Sequence, residues 1–277
     1  MTVIPANAAA VDSQLLIICL LTAAINLIGT LAYAARIAGV RTGRIAMSFA
    51  LFNILVLVSR TSNSFLGPFL AKRIETRIAS GGGGALYGDF QMVLGSASLA
   101  VALGIVLVPT GQRLFVRAIG HFKQHRSTVR MILHSASPEG LRSIREAAAP
   151  PRLGQLRELA KPRGVGWGVL AANCLAQALI TVGVIASLYA GYLNPEYRVT
   201  ASQLSAVING VATILLFALI DPQLSVMTDD VVEGRVSEPL FRRTIVWISF
   251  SRLAGTLLAQ VLFLPAAQLV AVIANHV

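Results

Sequence analysis

Residues 51–70 read LFNILVLVSRTSNSFLGPFL. The stretch begins as sequence fit for hydrocarbon. It then places Arg60, Thr61, Ser62 and Asn63 where hydrocarbon should continue. An arginine inside a spanning segment costs roughly 2.5–3.5 kcal/mol on insertion scales, so such residues face a bundle interior or a wet cavity. Pro68 follows, and a kink or unwound outer end is expected there. The oddity recurs in residues 247–263, WISFSRLAGTLLAQVLF, where Arg252 again follows a serine inside an apolar run.

Working outward, the whole chain is apolar. It has 277 residues, 55% of them hydrophobic and 13% charged, with a mean hydropathy of +0.72. These values exclude an ordinary soluble domain and call for transmembrane helices. Six apolar stretches stand out, at about 14–35, 45–70, 87–109, 166–190, 203–227 and 244–274. Each approaches or exceeds the ~20 residues that cross a hydrocarbon core of ~30 Å. The expected fold is an all-α, polytopic membrane protein, with residues 1–277 forming one transmembrane domain. The last span contains Pro265 and is expected to be kinked, tilted or to end early. The first lacks a basic leader and is too long for a cleaved signal core, so a retained span is expected.

The net charge of +11 does not point to nucleic acid, because the basic residues sit in loops between spans. With both termini outside, seventeen Lys and Arg fall in inner loops and four in outer ones. That bias fixes the expected orientation, termini periplasmic and the 111–164 loop cytoplasmic, and implies contact with the anionic inner leaflet. In that loop Leu114, Phe115, Ile119 and Phe122 recur at helical spacing among basic residues. They read as a continuation of the third helix along the membrane surface. Ser137, Pro138 and Glu139 read as a helix start carrying Leu141 and Ile144 on one face. Residues Gly81–Gly84 read as a flexible outer loop. His121 and His125 lie four apart but lack a third ligand, so they are read as part of an interfacial helix and not as a metal site. Cys19 and Cys174 lie inside apolar runs and are read as small hydrophobes.

Several spans carry polar stripes at helical spacing. Asn26 belongs to the first, Asn53, Arg60 and Ser64 to the second, Asn209 and Asp221 to the fifth, and Arg252 and Thr256 to the sixth. A single stripe is ordinary interhelical hydrogen bonding. Two stripes bearing arginine point to a shared polar cavity. At ~1.5 Å per residue, Arg60 would lie ~22 Å from an inner end at Ile45, and Arg252 ~12 Å from one at Thr244. Arg36, Arg41, Arg44, Arg242 and Arg243 would sit at the inner mouth, Lys72 and Arg73 at the outer one. The result is a ladder of cations suited to phosphate, which guanidinium binds with a two-pronged fork. The competing reading makes Asp221 a structural counter-ion of Arg252 or Arg60. Asp89 is the acid nearest to Arg60 in depth. A short internal repeat is also visible: Ile25-Asn26 with Thr30 recurs as Ile208-Asn209 with Thr213, each followed by a Ser-Arg pair in the next helix. This would repeat helices 1–2 in helices 5–6, and transporters often place sites at such interfaces.

The stretches INLIGTLAYAARIAGVRTGRIA, LFNILVLVSRTSNSFLGPFLAKRIE and LIDPQLSVMTDDVVEGR, with the later SRLAGTLLAQ, resemble the Amj-type lipid II flippases of bacteria. The likeness covers residues 20–77 and 205–270. It implies a multi-pass inner-membrane transporter moving the undecaprenyl-pyrophosphate-linked cell-wall precursor to the outer leaflet. It implies no cofactor and carries over no site residues. The arginines themselves point only to an anion, a phosphate; the resemblance makes it a diphosphate, which would bind Arg60 and Arg252 in turn, with Asn26, Asn63 and Asn209 reading sugar or peptide groups. Two rivals stay open: an intramembrane enzyme acting on a polyprenyl phosphate, with Asp221, Asp229 and Asp230 as its only acids, and a structural partner of cell-wall assembly proteins. The chain has no GxxxxGK[ST] loop. The sequence gives neither energy source nor oligomeric state.

Overall fold

Seven α-helices make up the described residues of the computed structural model, which are 12–81, 85–125, 137, 142, 145–147 and 164–277. They are α1 Ser13–Thr42, α2 Ile45–Ala79, α3 Leu86–His125, α4 Trp167–Leu193, α5 Arg198–Leu215, α6 Asp221–Val232 and α7 Glu238–Ala274. A π-turn at Leu216–Ile220 joins α5 to α6. Counting α5, the turn and α6 as one, six segments are long and apolar enough to cross a membrane. The protein is an all-α, multi-pass membrane protein, as its composition requires.

Proline positions correct three local expectations. α2 runs unbroken through Pro68 to Ala79, and α7 runs through Pro265 to Ala274, so neither unwinds nor ends early. The fifth span, expected to be continuous, is the one that changes geometry. Pro222 has no N–H to donate, and its ring crowds the carbonyl four residues back. The ladder therefore widens just before it, and the Asp221 N–H bonds to the Leu216 carbonyl, five residues back.

The helix ends follow local chemistry. Asp12 caps α1, its Oδ1 accepting from the Leu15 N–H at 2.8 Å. Gly43, at φ 64°, closes α1 in a left-handed conformation that a side chain disfavours. The chain then turns straight back into α2.

Helices approach where side chains are small. A Cβ on Gly39 of α1 would run into Ser48 Oγ of α2, whose hydroxyl donates to the Ala35 carbonyl at 2.7 Å. One on Gly104 of α3 would lie 2.8 Å from Thr30 of α1. One on Gly255 of α7 would lie 2.5 Å from the Cys174 carbonyl of α4, and one on Gly183 of α4 would lie 3.0 Å from Asn209. Two hydrophobic cores result. One core gathers Tyr33, Phe52, Ile220, Phe241 and Ile245. A second core gathers Leu66, Phe90, Tyr189 and Phe263, and the rings of the last three meet edge-on or tilted with centroids 5.0–5.9 Å apart. Cys19 and Cys174 are free thiols, each partly buried.

Candidate functional site

Between the two cores lies a cavity of about 290 Å³. Its walls come from α1, α2, α4, the α5–π-turn–α6 segment and α7. Both Ser-Arg arginines open into it, and so do Asn26, Asn63, Ser64, Asn209 and Asp221. The polar stripes therefore converge on one space.

Arg252 reaches the cavity from α7. Its Nη2 makes a long contact of 3.4 Å to Asn26 Oδ1, while Asn26 Nδ2 donates to the Thr22 carbonyl at 3.0 Å. Its Nε is buried without a partner. The guanidinium lies against Gly29, where a Cβ would stand 2.7 Å from Nη2. Glycine thus makes the room that the cation occupies. Arg60 reaches in from α2. Its Nη1 donates to Thr213 Oγ1 at 3.0 Å, and its Cζ sits 5.1 Å over the Phe217 ring, a cation–π geometry. Among the described residues neither arginine forms an ion pair.

The two arginines are level, which corrects the expected ladder. Ser59, beside Arg60, donates to the Ile25 carbonyl at 3.1 Å, and Arg252 meets the same turn of α1 at Asn26 and Gly29. The error lay in the helix start. α7 begins at Glu238, so at ~1.5 Å per residue Arg252 stands about 21 Å along it, against about 22 Å for Arg60 along α2.

The π-turn decides where Asp221 points. In an unbroken helix it would lie about 80° round from Thr213; the extra residue of the turn brings it to within about 20°. Asp221 thus joins the cavity wall. Its partner is neither Arg252 nor Arg60, as expected, but Arg36, at 3.0 Å. Arg36 is 2% exposed and not at an open mouth. It also reaches Ser225 Oγ at 3.5 Å and lies 4.9 and 4.4 Å from the Phe49 and Phe52 rings.

Other expected site residues lie elsewhere. Asn53 is exposed and outside the cavity wall. Thr256 is buried and donates to the Leu253 carbonyl. Arg41 pairs with Glu238 at 2.6 Å, and Arg41, Arg44, Arg242 and Arg243 do not line the cavity. Asp89, thought nearest to Arg60, instead binds Arg73 at 2.9 Å and Arg77 at 3.3 Å. Arg73 also reaches Asp12 at 2.7 Å and is buried in this cluster, not at an outer mouth. Gly29, Ser59 and Phe217 were not singled out by sequence. Gly29 and Phe217 each sit about one turn beyond a stripe residue, Asn26 and Thr213, which is the signal that would have found them. α3 does run on past Pro109 to His125. The rest of the 111–164 loop, with the helix start at Ser137-Pro138-Glu139, lies almost wholly outside the described residues, as do positions 82–84. Among the described residues no three His, Cys, Asp or Glu gather to hold a metal.

A family model described as "Amj: Alternate to MurJ" matches residues 21–274 of the chain. The chain is also 36% identical over 263 residues to a protein of Bacillus subtilis (strain 168) named "Lipid II flippase Amj", covering 94% of this chain and 97% of that one. No solved structure matches.

Proposed function

This chain belongs to the Amj family, and on that premise we propose that it is a lipid II flippase, a transporter and not an enzyme. The polyprenyl-diphosphate-linked cell-wall precursor is its cargo, moved to the outer leaflet. The observation that supports a mechanism is Arg252: a guanidinium with a buried, unpartnered Nε, no acid beside it among the described residues, and a cavity in front of it. An uncompensated cation in hydrocarbon is costly, and an anion visiting the cavity offsets that cost.

Arg60 stands level with it across the cavity, so the diphosphate binds both guanidinium groups together and not in turn. Asn26 holds Arg252 in place, while Asn63, Ser64 and Asn209 supply polar surface to the linked headgroup. The inner cations Arg41, Arg44, Arg242 and Arg243 serve the cytoplasmic approach, while Arg36, buried and paired with Asp221, holds the cavity wall. Both termini face the periplasm in this reading, and the bacterial inner membrane is its home. Cysteines placed at Ser137 and Gly82 should then label from opposite sides with an impermeant thiol reagent.

The deciding experiment is reconstitution in vesicles with fluorescent lipid II. Protein-dependent loss of label from the loading leaflet, with the lipid recovered intact, is the expected result. Recovery of a hydrolysed or transferred product would favour the enzyme class instead.

A further inference from the structure

Four of the cavity's seams are closed by close approach. Gly39 seals α1 to α2, Gly255 seals α4 to α7, Gly183 seals α4 to α5, and Gly29 lets Arg252 close α7 onto α1. Among the described residues the seam between α2 and α5 has no such contact, and the two helices do not pack along their length. Between Phe52 and Leu66 no residue of α2 is buried, and between Ala201 and Ile220 only Ala212 is. The edges of this seam are apolar and open outward: Leu57 is 65% exposed, Ile214 66% and Phe217 47%. The Arg60 side chain spans the gap, to Thr213 and Phe217.

We infer that the α2–α5 seam is the binding site for the polyprenyl chain of a diphosphate lipid, with Arg60 as the bar that the diphosphate displaces. This rests on the transport reading and adds the route of the tail. An apolar chain in a membrane needs only a gap whose rim is apolar, and this one opens onto the cavity that holds both arginines. Charge complementarity puts the diphosphate inside, which leaves the tail passing between Leu57 and Ile214. Arg60 donates to a neutral hydroxyl and lies over a ring. A phosphate oxygen accepts a stronger, charge-assisted bond, so the bar swings from α5 to the ligand as the tail enters. The Thr213 and Phe217 contacts then reform behind it on release.

The test is photolabelling in phosphatidylethanolamine–phosphatidylglycerol vesicles, using a polyprenyl diphosphate with a diazirine in its tail. Adducts that excess unlabelled polyprenyl diphosphate suppresses should concentrate on residues 53–65 and 207–219 and should fall several-fold in Arg60→Ala. Suppressible adducts at the Trp167–Trp247 groove between α4 and α7, an even spread over all lipid-facing helices, or no suppressible adduct would overturn the seam. Seam labelling in protein that moves no lipid II would uphold the site and refute the transport reading.

Discussion

Arg252 of α7 contacts Asn26 of α1, and the arrangement is reciprocated: Arg60 of α2 contacts Thr213 of α5. In the repeat read from the sequence, each arginine thus reaches across to the first helix of the other copy. That crossing supports, as a proposal, a site built at a repeat interface. It also means that neither arginine is held by its own hairpin, so each can be tested separately.

Arg252→Ala and Arg60→Ala should each abolish flipping while leaving protein levels intact, because removing an uncompensated cation from hydrocarbon relieves a cost. Arg60→Lys and Arg252→Lys should keep partial activity, since charge remains and the fork is lost. Complementation in cells lacking other flippases, with immunoblots alongside, measures both. Full complementation by either alanine variant would refute the two-arginine site.

Gly29→Ala tests the room made for Arg252. A methyl 2.7 Å from Nη2 forces the guanidinium off Asn26, because the side chain is what can move. Transport should fall while thermal stability in detergent changes by less than about 1 kcal/mol, the range of ordinary substitutions that break no core contact. A variant that transports normally would show that the observed position of Arg252 is not the working one.

The Asp221–Arg36 pair should behave oppositely. Arg36 is buried, so Asp221→Asn leaves a buried charge unpaired and should destabilise by about 3–5 kcal/mol. The double change Arg36→Met with Asp221→Leu should recover much of this, because removing both charges also removes their desolvation cost. Thermal unfolding of all three variants decides it. A harmless Asp221→Asn would free Asp221 for a role in coupling instead.

Asp12 gives a pH signature at the N-terminal end of α1. Its hydrogen bond from Arg73, followed by that from the Leu15 N–H, holds its carboxyl below the usual carboxylate range. A lowered folded value means the contribution is present at neutral pH and is lost as pH falls through that value. Wild type should therefore exceed Asp12→Asn in stability at pH 7 by less than about 1 kcal/mol, because asparagine caps a helix as well as aspartate does and only the half-exposed ion pair with Arg73 is lost. The gap should close only in strong acid. A gap already closed at pH 5 would place the Arg73 contact elsewhere.

How far the sequence carried depended on range. The six spans were legible because hydrocarbon demands length and apolarity residue by residue. Arg60 and Arg252 were legible because each breaks that demand locally. Partners were not: Asp221 pairs with a residue 185 positions away, and which of three arginines it meets depends on one extra residue in a π-turn. Depth failed for a related reason, since the six residues from Glu238 to Arg243, three of them charged, belong to α7. Gly29 and Phe217 could be found only by their positions one turn past Asn26 and Thr213, because an apolar residue beside a site otherwise reads like any other in a membrane.

Cavity size gives the last prediction. At about 290 Å³, the space lies at the low end of the ~300–1,000 Å³ that encloses a drug-sized ligand. It has room for a diphosphate between two guanidinium groups, but not for a disaccharide carrying a peptide. The polar atoms nearest the arginines are already engaged: Asn26 with Arg252 and Thr22, Thr213 with Arg60. Recognition should therefore rest on the diphosphate, with the sugar–peptide accommodated only as helices part. Bare polyprenyl diphosphate should then compete with lipid II for transport in vesicles. Polyprenyl monophosphate, which engages one guanidinium at a time, should compete less well, and the free disaccharide–peptide not at all. If the free headgroup competes and bare polyprenyl diphosphate does not, the arginines are not the recognition site.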